Sequence, residues 1–191
     1  MISGRLKKAI VSSGDLAKHQ FGFRKGHSTI DAIACVKEIA EKAIAGSRWK
    51  GGNKKYCAIV TLDVKNAFNM ARWDCILAEL RRRKVAQYLL TIIEDYFRNR
   101  LLMYKTDDVM VEYNITGGVP QGSVMGPTLW NVMYDGVFKL QIPEEAQTIG
   151  FADDIAIVVV AKLKEEITCI CNKTIHIVNH WLQSVGLQLA K

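Results

Sequence analysis

The sequence TIGFADDIAIVVV, at residues 148–160, places two adjacent carboxylates between two short apolar segments. The segments are strand-like, and the second is rich in β-branched residues, so they predict two strands joined by a tight turn at Asp153 and Asp154. Two like charges at the end of a buried hairpin repel each other and resist the loss of water, and a divalent cation is a natural compensation. Asp is also an ordinary turn residue, so this segment alone leaves a metal site and a plain turn equally open.

A second apolar segment ends in a third carboxylate. Residues 57–63, CAIVTLD, form a continuous apolar run that predicts a buried strand with Asp63 at its carboxyl end. If this strand neighbours the hairpin in one sheet, Asp63 converges with Asp153 and Asp154. Such an arrangement can bind a pair of Mg²⁺ ions, which activate an attacking hydroxyl and stabilise a leaving phosphate.

Two glycine-containing loops precede predicted helices. Residues 20–28, QFGFRKGHS, lead into a capping box at residues 28–31, so a helix begins there and Arg24 lies in a loop suited to phosphate. The alternative for this loop is ordinary solvated charge. Residues 117–127, GGVPQGSVMGP, contain four of the 14 glycines and two of the three prolines, before a long helix at about residues 124–140. A loop of this kind allows the backbone to approach a nucleotide closely.

The rest of the chain predicts four further helices and one hairpin. Helices are expected at residues 1–19, at about 73–84 and 85–98, and at 163–186, with the hairpin at 101–115. The basic cluster at residues 81–84 predicts a solvated helix end. The alternative is that these side chains bind along a nucleic-acid backbone. The apolar faces of the helix after residue 28 and of the helix at 85–98 are predicted at Ile33, Val36, Ala40 and Ala43, and at Tyr88, Leu89, Ile92, Ile93 and Tyr96.

Composition indicates a compact protein with an uneven charge. The 191 residues are 49% hydrophobic, enough for one sizeable core or two small lobes, and the net charge is +7. Residues 1–50 carry +6, residues 51–110 carry +4 and residues 111–191 carry −3. A basic front and an acidic back suit a bound polyanion and metal-binding carboxylates, although an ordinary basic domain has the same balance.

The compartment is predicted from what the sequence lacks. The first residues show no signal peptide, no apolar run is long enough to span a bilayer, and five cysteines without a framework spacing favour a reducing environment. We therefore expect an intracellular protein of the nucleus, the cytoplasm or both, which is not secreted and does not associate with a membrane.

Five sequence blocks resemble those of reverse transcriptases in their order and approximate spacing. Three are central: VTLDVKNAF at residues 60–68, GGVPQGSVMGP at 117–127 and FADD at 151–154. Two flank them: QFGFRKGHSTIDA at residues 20–32 and WLQSVGLQLA at 181–190. The chain is most similar to the non-LTR, LINE-like retrotransposon enzymes of the jockey type, and the resemblance covers nearly all of it.

The resemblance implies an α+β fold, a polymerase palm whose small antiparallel sheet is backed by helices, together with a partial fingers lobe. Residues 1–55 would be the partial fingers region and residues 56–191 the palm, and the thumb and the endonuclease are absent. Asp63 and Asp153 would be the principal ligands of two Mg²⁺ ions, which Mn²⁺ can replace. Asp154 would complete the catalytic and metal-binding set by contributing charge or positioning.

Four further residues receive roles from the resemblance. Phe68, five residues after Asp63, would be a steric gate that leaves no room for a ribose 2′-hydroxyl, and core packing is its alternative role. Gln121 and Gly122 would line the pocket for the incoming nucleotide and the template, and Arg24 would touch the template or the triphosphate. The implied activity is RNA-directed DNA polymerisation, with an RNA template, a DNA primer and dNTPs as partners; the oligomeric state stays open.

Other interpretations remain beside this one. The chain ends at Lys191, before the Lys-Thr-type continuation of the family, so Lys191 is not assigned that role, and Met1 is interpreted as an internal methionine or the start of a decayed copy. A catalytically inactive remnant that keeps the palm fold and binds RNA is the first rival function. A nucleotide cyclase on a similar sheet is the second, and it should ignore an added primer. A purely structural protein is the third, although it has little reason to concentrate carboxylates at apolar strand ends.

Overall fold

The computed structural model describes residues 2–47, 52, 54–106 and 109–190 in two compact units. We call residues 2–16 and 68–133 the helical unit, and residues 17–67 and 134–190 the sheet unit. Met1, Lys191 and the Asp107–Asp108 pair of the predicted turn lie outside the described residues. None of the described helices is long and apolar enough to cross a membrane.

The elements follow one another in mixed α and β order. They are α1 (Ile2–Ser12), α2 (Thr29–Ile44), β1 (Tyr56–Leu62), α3 (Ala67–Met70), α4 (Trp73–Arg82), α5 (Gln87–Phe97), β2 (Leu101–Lys105), β3 (Met110–Asn114), α6 (Gly126–Tyr134), a 3₁₀ helix (Asp135–Lys139), β4 (Ala146–Phe151), β5 (Asp154–Ala161) and α7 (Lys164–Ser184). The predicted strands at residues 57–62, 101–105 and 155–160, and the predicted helix at 163–186, are confirmed to within a few residues.

The sheet unit is built on three antiparallel strands in the order β1-β5-β4. The pairing of β1 with β5 begins at Tyr56 opposite Ala161, and that of β4 with β5 ends at Phe151 opposite Asp154. Because β5 lies in the middle of the sheet, both of its edges are hydrogen-bonded. A central strand whose two faces are both covered can carry apolar residues on each face. This explains why IAIVVV reads as a continuous apolar run rather than an alternating one.

Helices α2 and α7 cover the sheet. Val158 of β5 packs in a buried cluster with Ala32 of α2 and Ile149 of β4. Strand alternation turns Ile157 and Val159 to the opposite face, where both are fully buried. The strand that leads away from the Asp153–Asp154 turn is therefore held on both faces by a packed core.

The start of α2 agrees with the prediction, and so does its apolar face except at Ile33, since Val36 packs against the core cluster and Ala43 is buried. Ser28 caps the helix, its Oγ accepting from the N–H of Asp31 at 3.2 Å, while the Asp31 carboxylate accepts from the N–H of Ser28 at 2.6 Å. Ile33 was predicted to face the core and is 63% exposed, whereas Ala32 and Cys35 join the cluster. The prediction for Ile33 was wrong because the small residues Ala32 and Cys35, and not the more hydrophobic isoleucine, face the sheet. The observed face is thus displaced by about one position from Ile33.

The helical unit buries apolar residues of α4 and α5. Ile76 and Leu80 of α4 are fully buried. Trp73 stacks on Phe97 of α5, with the ring centroids 4.9 Å apart and the planes at 8°. Tyr88 was predicted to point inward and is 49% exposed, because it carries a hydroxyl that remains hydrated at the start of the helix.

The basic cluster at the end of α4 is exposed to solvent except at Arg83. Arg83 is buried, and its Nε donates to Glu79 at 2.8 Å while its Nη1 donates to the carbonyl of Asp15 at 2.8 Å. Arg81 pairs with Glu94 of α5. These contacts tie the arginines into the helical unit, so the prediction of a solvated end is wrong for Arg83.

The long helix predicted at residues 124–140 divides in two. α6 ends at Tyr134, and a 3₁₀ helix continues from Asp135 to Lys139. Gly136 lies so close to the indole of Trp181 that an added Cβ would be 2.6 Å from Cζ2. Glycine weakens an α-helix, and this close approach accompanies the change to the tighter helix. Before α6, the N–H of Gly126 donates to Ser123 Oγ at 2.8 Å.

Candidate active site

Three carboxylates meet at one end of the sheet. β1 ends at Leu62, so Asp63 is the first residue beyond that strand, and Asp153 and Asp154 lie where β4 turns into β5. The last pair in the register of β1 with β5 is Leu62 with Ile155, so Asp63 and Asp154 each lie one residue beyond this pair, at the same end of the sheet. The convergence expected from the sequence therefore occurs, because β1 and the hairpin are neighbours in the same sheet.

The turn between β4 and β5 has only two residues outside the strands. Phe151 pairs with Asp154, and Ala152 and Asp153 form the loop between them. Ala152 has φ +59°, the left-handed region that hairpins of this length require at the first loop position. An alanine there is strained relative to glycine, and such strain persists only where the surroundings hold it.

The electrostatics of this sheet end reflect the crowding of negative charge. Burial raises the pKa of Asp154, and the carboxylates of Asp153 and Asp63 raise it further. Burial also raises the pKa of Tyr134 well above its ordinary value, and the same three carboxylates add to the effect. Because each carboxylate disfavours the charge of its neighbours, a cation bound among them would relieve the repulsion.

Tyr134, the last residue of α6, contacts the backbone of the turn. Its side chain is fully buried, and the phenol hydroxyl donates to the carbonyl oxygen of Asp153 at 2.9 Å. No motif or spacing in the sequence singles out this residue. The available signal was weak: a buried tyrosine needs a partner for its hydroxyl, but periodicity does not indicate which one.

The loop that contains the QFGF sequence lies directly against the hairpin. The N–H of Phe21 donates to the carbonyl of Gly150 at 2.8 Å, and the N–H of Gly150 donates to the carbonyl of His19 at 2.8 Å. A Cβ added to Gly22 would lie 2.1 Å from the backbone nitrogen of Ala152. Only glycine allows this approach, so the glycine of this loop serves contact with the turn.

Arg24 is engaged with its own loop. Its Nη1 donates to the carbonyl of Ala17 at 2.7 Å and to that of Gln20 at 3.0 Å. These bonds hold the loop in the shape that meets the hairpin. The predicted contact of Arg24 with template or triphosphate stays a prediction.

The C-terminal segment pairs with the chain beyond β1. The N–H of Ala190 donates to the carbonyl of Asp63 at 2.9 Å, and the N–H of Lys65 donates to the carbonyl of Gln188 at 2.8 Å. The backbone after the Asp63 side chain is thus hydrogen-bonded to the C-terminal segment, and the backbone before it pairs with β5 at Leu62, which limits where the carboxylate can move.

The remaining predicted site residues belong to the helical unit. The ring of Phe68 packs against Trp130, with the centroids 4.9 Å apart, and its carbonyl accepts from the N–H of Val119 at 2.8 Å. That bond places Phe68 next to the loop of Gln121 and Gly122, both of which are exposed. Packing of Phe68 is therefore observed, and its role as a steric gate stays a prediction.

Comparison with known proteins identifies the family. Residues 1–191 match the family described as reverse transcriptase (RNA-dependent DNA polymerase), and the chain belongs to it. A probable RNA-directed DNA polymerase from transposon BS of Drosophila melanogaster is 28% identical over 82% of the chain and 17% of its own length. The RNA-directed DNA polymerase from the mobile element jockey of the same organism is 29% identical over 77% of the chain and 16% of its length. The chain thus spans about a sixth of these curated relatives.

A solved structure supports the same fold. Apo telomerase from Candida tropicalis superposes with a TM-score of 0.68 at 10% identity, over 98% of this chain and 34% of that one. At this identity the likeness concerns the fold alone. It confirms the predicted polymerase palm, and the relatives confirm the predicted resemblance to retrotransposon enzymes. The division into fingers at residues 1–55 and palm at 56–191 concerns roles on a substrate, so it stays a prediction.

The donor set at the sheet end fits a hard divalent cation. Members of the reverse transcriptase family use divalent metal ions, and Asp63, Asp153 and Asp154 offer only carboxylate oxygens, the ligands that Mg²⁺ prefers. Within the described residues, no three or more His, Cys, Asp or Glu side chains close around a common metal position. Mg²⁺ usually takes one or two carboxylates and completes its shell with water and substrate phosphates.

Proposed function

We propose that the chain is the catalytic core of a retrotransposon-derived reverse transcriptase, which adds dNTPs to a primer 3′-hydroxyl on an RNA template. The observation that carries this proposal is the convergence of Asp63, Asp153 and Asp154 at one sheet end in a member of this family. The Pro-Gln-Gly loop beside Phe68 supports it, because a cyclase has no use for a primer or a sugar gate.

The reaction is a displacement at phosphorus. The primer 3′-oxygen bonds to the α-phosphorus of the dNTP, the bond from that phosphorus to the β-phosphate oxygen breaks, and pyrophosphate leaves. Asp63 and Asp153 would hold two Mg²⁺ ions, or Mn²⁺ in their place. When bound, such ions lower the pKa of the attacking hydroxyl and neutralise charge on the leaving group.

The other side chains of the site orient the substrates. Asp154 adds negative charge at the sheet end and helps to position the metal ligands. Gln121 and Gly122 present an exposed loop to the incoming nucleotide and template, and Phe68 excludes a ribose 2′-hydroxyl. Arg24 touches template or triphosphate while it holds its own loop. Alignment of the reacting groups and fixed charge supply most of the acceleration in phosphoryl transfer.

The wider assignment follows from the same proposal. Residues 1–55 act as a partial fingers region and residues 56–191 as the palm. The partners are an RNA template, a DNA primer and dNTPs, which the basic residues of the first 110 positions attract. The protein acts in the nucleus, the cytoplasm or both.

Primer extension tests the proposal. The purified chain is incubated with an RNA template, an annealed DNA primer, dNTPs and Mg²⁺, beside an Asp153→Asn variant. Asp95→Asn is the matched control, because Asp95 is an exposed aspartate of the helical unit that pairs with Arg98. We expect extension by the wild type and by the Asp95 variant, and none by Asp153→Asn.

Two results would contradict this function. If a chain that is folded by circular dichroism extends no primer but still binds RNA, the inactive remnant replaces the polymerase. If both aspartate variants extend primers as well as the wild type, the carboxylates at the sheet end are not the catalytic set.

A further inference from the structure

The turn of Asp153 and Asp154 is held from two sides by groups that take no part in the proposed chemistry. We propose that Tyr134 and Gly22 are positioning residues, which aim the two carboxylates by holding the backbone of this turn. The inference rests on the proposed function of the same turn. It gives a positioning role to Tyr134, which would otherwise be regarded as a core residue, and to Gly22, which would otherwise be regarded as a loop residue.

Tyr134 holds the turn from the interior of the sheet unit. Its hydroxyl donates to the carbonyl of Asp153 at 2.9 Å, and its side chain is fully buried. The ring meets Phe138 edge-on at 5.8 Å and Trp181 at 6.2 Å between centroids. Because these aromatic contacts fix the ring, the hydroxyl is a rigid donor, and the carbonyl of Asp153 is held where that donor points.

Gly22 holds the turn from the neighbouring loop. The loop pairs with Gly150 through two backbone hydrogen bonds of 2.8 Å, one from Phe21 and one to His19. Beyond that pairing the backbone of Gly22 reaches Ala152, where an added Cβ would lie 2.1 Å from the nitrogen and 2.7 Å from Cα. The loop therefore lies against the residue whose backbone is strained.

The strained residue explains why two supports are needed. Ala152 has φ +59°, which an L-residue adopts only at a cost, so an unsupported turn would relax toward other conformations. Relaxation would move Asp153 and Asp154 together, because they are the next two residues after Ala152. A shift of about 1 Å in a catalytic group lowers the rate on the order of 100-fold.

Removal of one hydroxyl tests the Tyr134 half. Tyr134→Phe keeps the ring and its contacts but deletes the donor. Thr174→Val is the matched control, since Thr174 is fully buried in the same unit and its hydroxyl donates to the carbonyl of Ile170 at 2.8 Å, within α7. Both variants lose one hydroxyl-to-carbonyl bond, so their losses of stability should be similar.

Two measurements distinguish an effect on the position of the carboxylates from an effect on the stability of the protein. Mn²⁺ alone is titrated into the chain without primer or nucleotide, and the free ion is followed by electron paramagnetic resonance. Primer extension then gives kcat and KM for dNTP. We expect Tyr134→Phe to weaken Mn²⁺ binding several-fold and to lower kcat by about 10-fold with KM nearly unchanged, whereas Thr174→Val resembles the wild type.

Gly22→Ala tests the other half. The added methyl must push the loop and the turn apart, so we expect a similar loss of Mn²⁺ affinity and of kcat. Gly4→Ala is its control, because a Cβ at Gly4 would meet nothing within 4 Å. If Gly22→Ala does not fold, Tyr134→Phe, which removes a single oxygen, still decides the proposal.

The outcomes distinguish this inference from the proposed function. Wild-type binding of Mn²⁺ without primer extension would refute the polymerase while the Mn²⁺ titration still tests the positioning residues. Tyr134→Phe with wild-type Mn²⁺ affinity and kcat would overturn the inference and leave the polymerase intact. Equal losses in Tyr134→Phe and Thr174→Val would also overturn it, since the effect would then be general.

Discussion

Asp135→Ala should destabilise the sheet unit by about 2–3 kcal/mol. The Asp135 carboxylate is fully buried, and its Oδ1 accepts from the N–H of Ala17 at 2.5 Å while its Oδ2 pairs with Lys139. A hydrogen bond to a charged group contributes about 1.5–3 kcal/mol, and a half-exposed ion pair adds only about 0.5 kcal/mol. The first contact therefore dominates the expected loss.

Two milder variants divide this loss into its parts. Asp135→Asn keeps an oxygen acceptor for Ala17 but loses the charge, so we expect a cost of about 1 kcal/mol. Lys139→Met loses only the ion pair and should cost about 0.5 kcal/mol. The order of stability at neutral pH should therefore be wild type, Lys139→Met, Asp135→Asn and Asp135→Ala.

Urea unfolding followed by far-ultraviolet circular dichroism measures this order. Linear extrapolation gives the unfolding free energies, with Trp fluorescence as a second probe to check that the two transitions coincide. The reasoning would be refuted if Lys139→Met cost as much as Asp135→Ala. In that case the ion pair with Lys139, and not the buried bond that ties Ala17 to the 3₁₀ helix, would provide the stability.

Three other substitutions give independent predictions. Phe68→Val should raise the use of ribonucleotides relative to dNTPs by about 10- to 200-fold, and it should also cost stability through the lost contact with Trp130; unchanged sugar selectivity in competition assays would leave Phe68 only its packing role. Glu79 is partly buried, which alone would raise its pKa, but hydrogen bonds from two arginines at the same helix end lower the pKa below 4.5. Its charge therefore stabilises the fold above pH 4.5 and is lost as pH falls through the folded-state pKa, so unfolding free energy should decline more steeply below pH 4.5 in the wild type than in Glu79→Gln, and parallel curves would contradict this. Gly150→Ala would set a Cβ 2.1 Å from Cζ of Phe138 and should cost about 1–3 kcal/mol in thermal unfolding, with Phe138→Leu recovering part of it; additive losses in the double variant would show that this contact is not the cause.

The sequence predicts the carboxylates well because their signals are local. β-Branched residues flank Asp153 and Asp154, and an apolar run ends at Asp63, so strand length and polarity alone place all three at strand ends. The capping box at residues 28–31 is equally local and is also observed. What remained to be tested was whether the strands are neighbours, and the β1-β5-β4 order answers that.

Long-range contacts were not predictable in the same way. Arg83 lies in a basic run that resembles a solvated helix end, yet it is buried on the carbonyl of Asp15, 68 positions earlier in the chain. Gly22 reads as a loop glycine, and its contact with Ala152 depends on the pairing of distant segments. Tyr134 and Asp153 are 19 residues apart, with the 3₁₀ helix and β4 between them. The pattern of residues in the sequence indicates which residues are apolar, but it does not indicate which distant residue each of them contacts in the fold.

One local feature of the Asp153–Asp154 turn conflicts with simple expectation. A two-residue hairpin loop favours glycine or asparagine where φ is positive, and this chain has Ala152 there. Local rules that are broken at one position indicate that another requirement outweighs them. A glycine at position 152 would adopt the turn without strain, but it would also allow the turn many other conformations. Alanine restricts the backbone, and Tyr134 and Gly22 hold it in the conformation that is observed. For a turn that positions two carboxylates, the restricted backbone conformation favours their placement by more than the strain at Ala152 disfavours it.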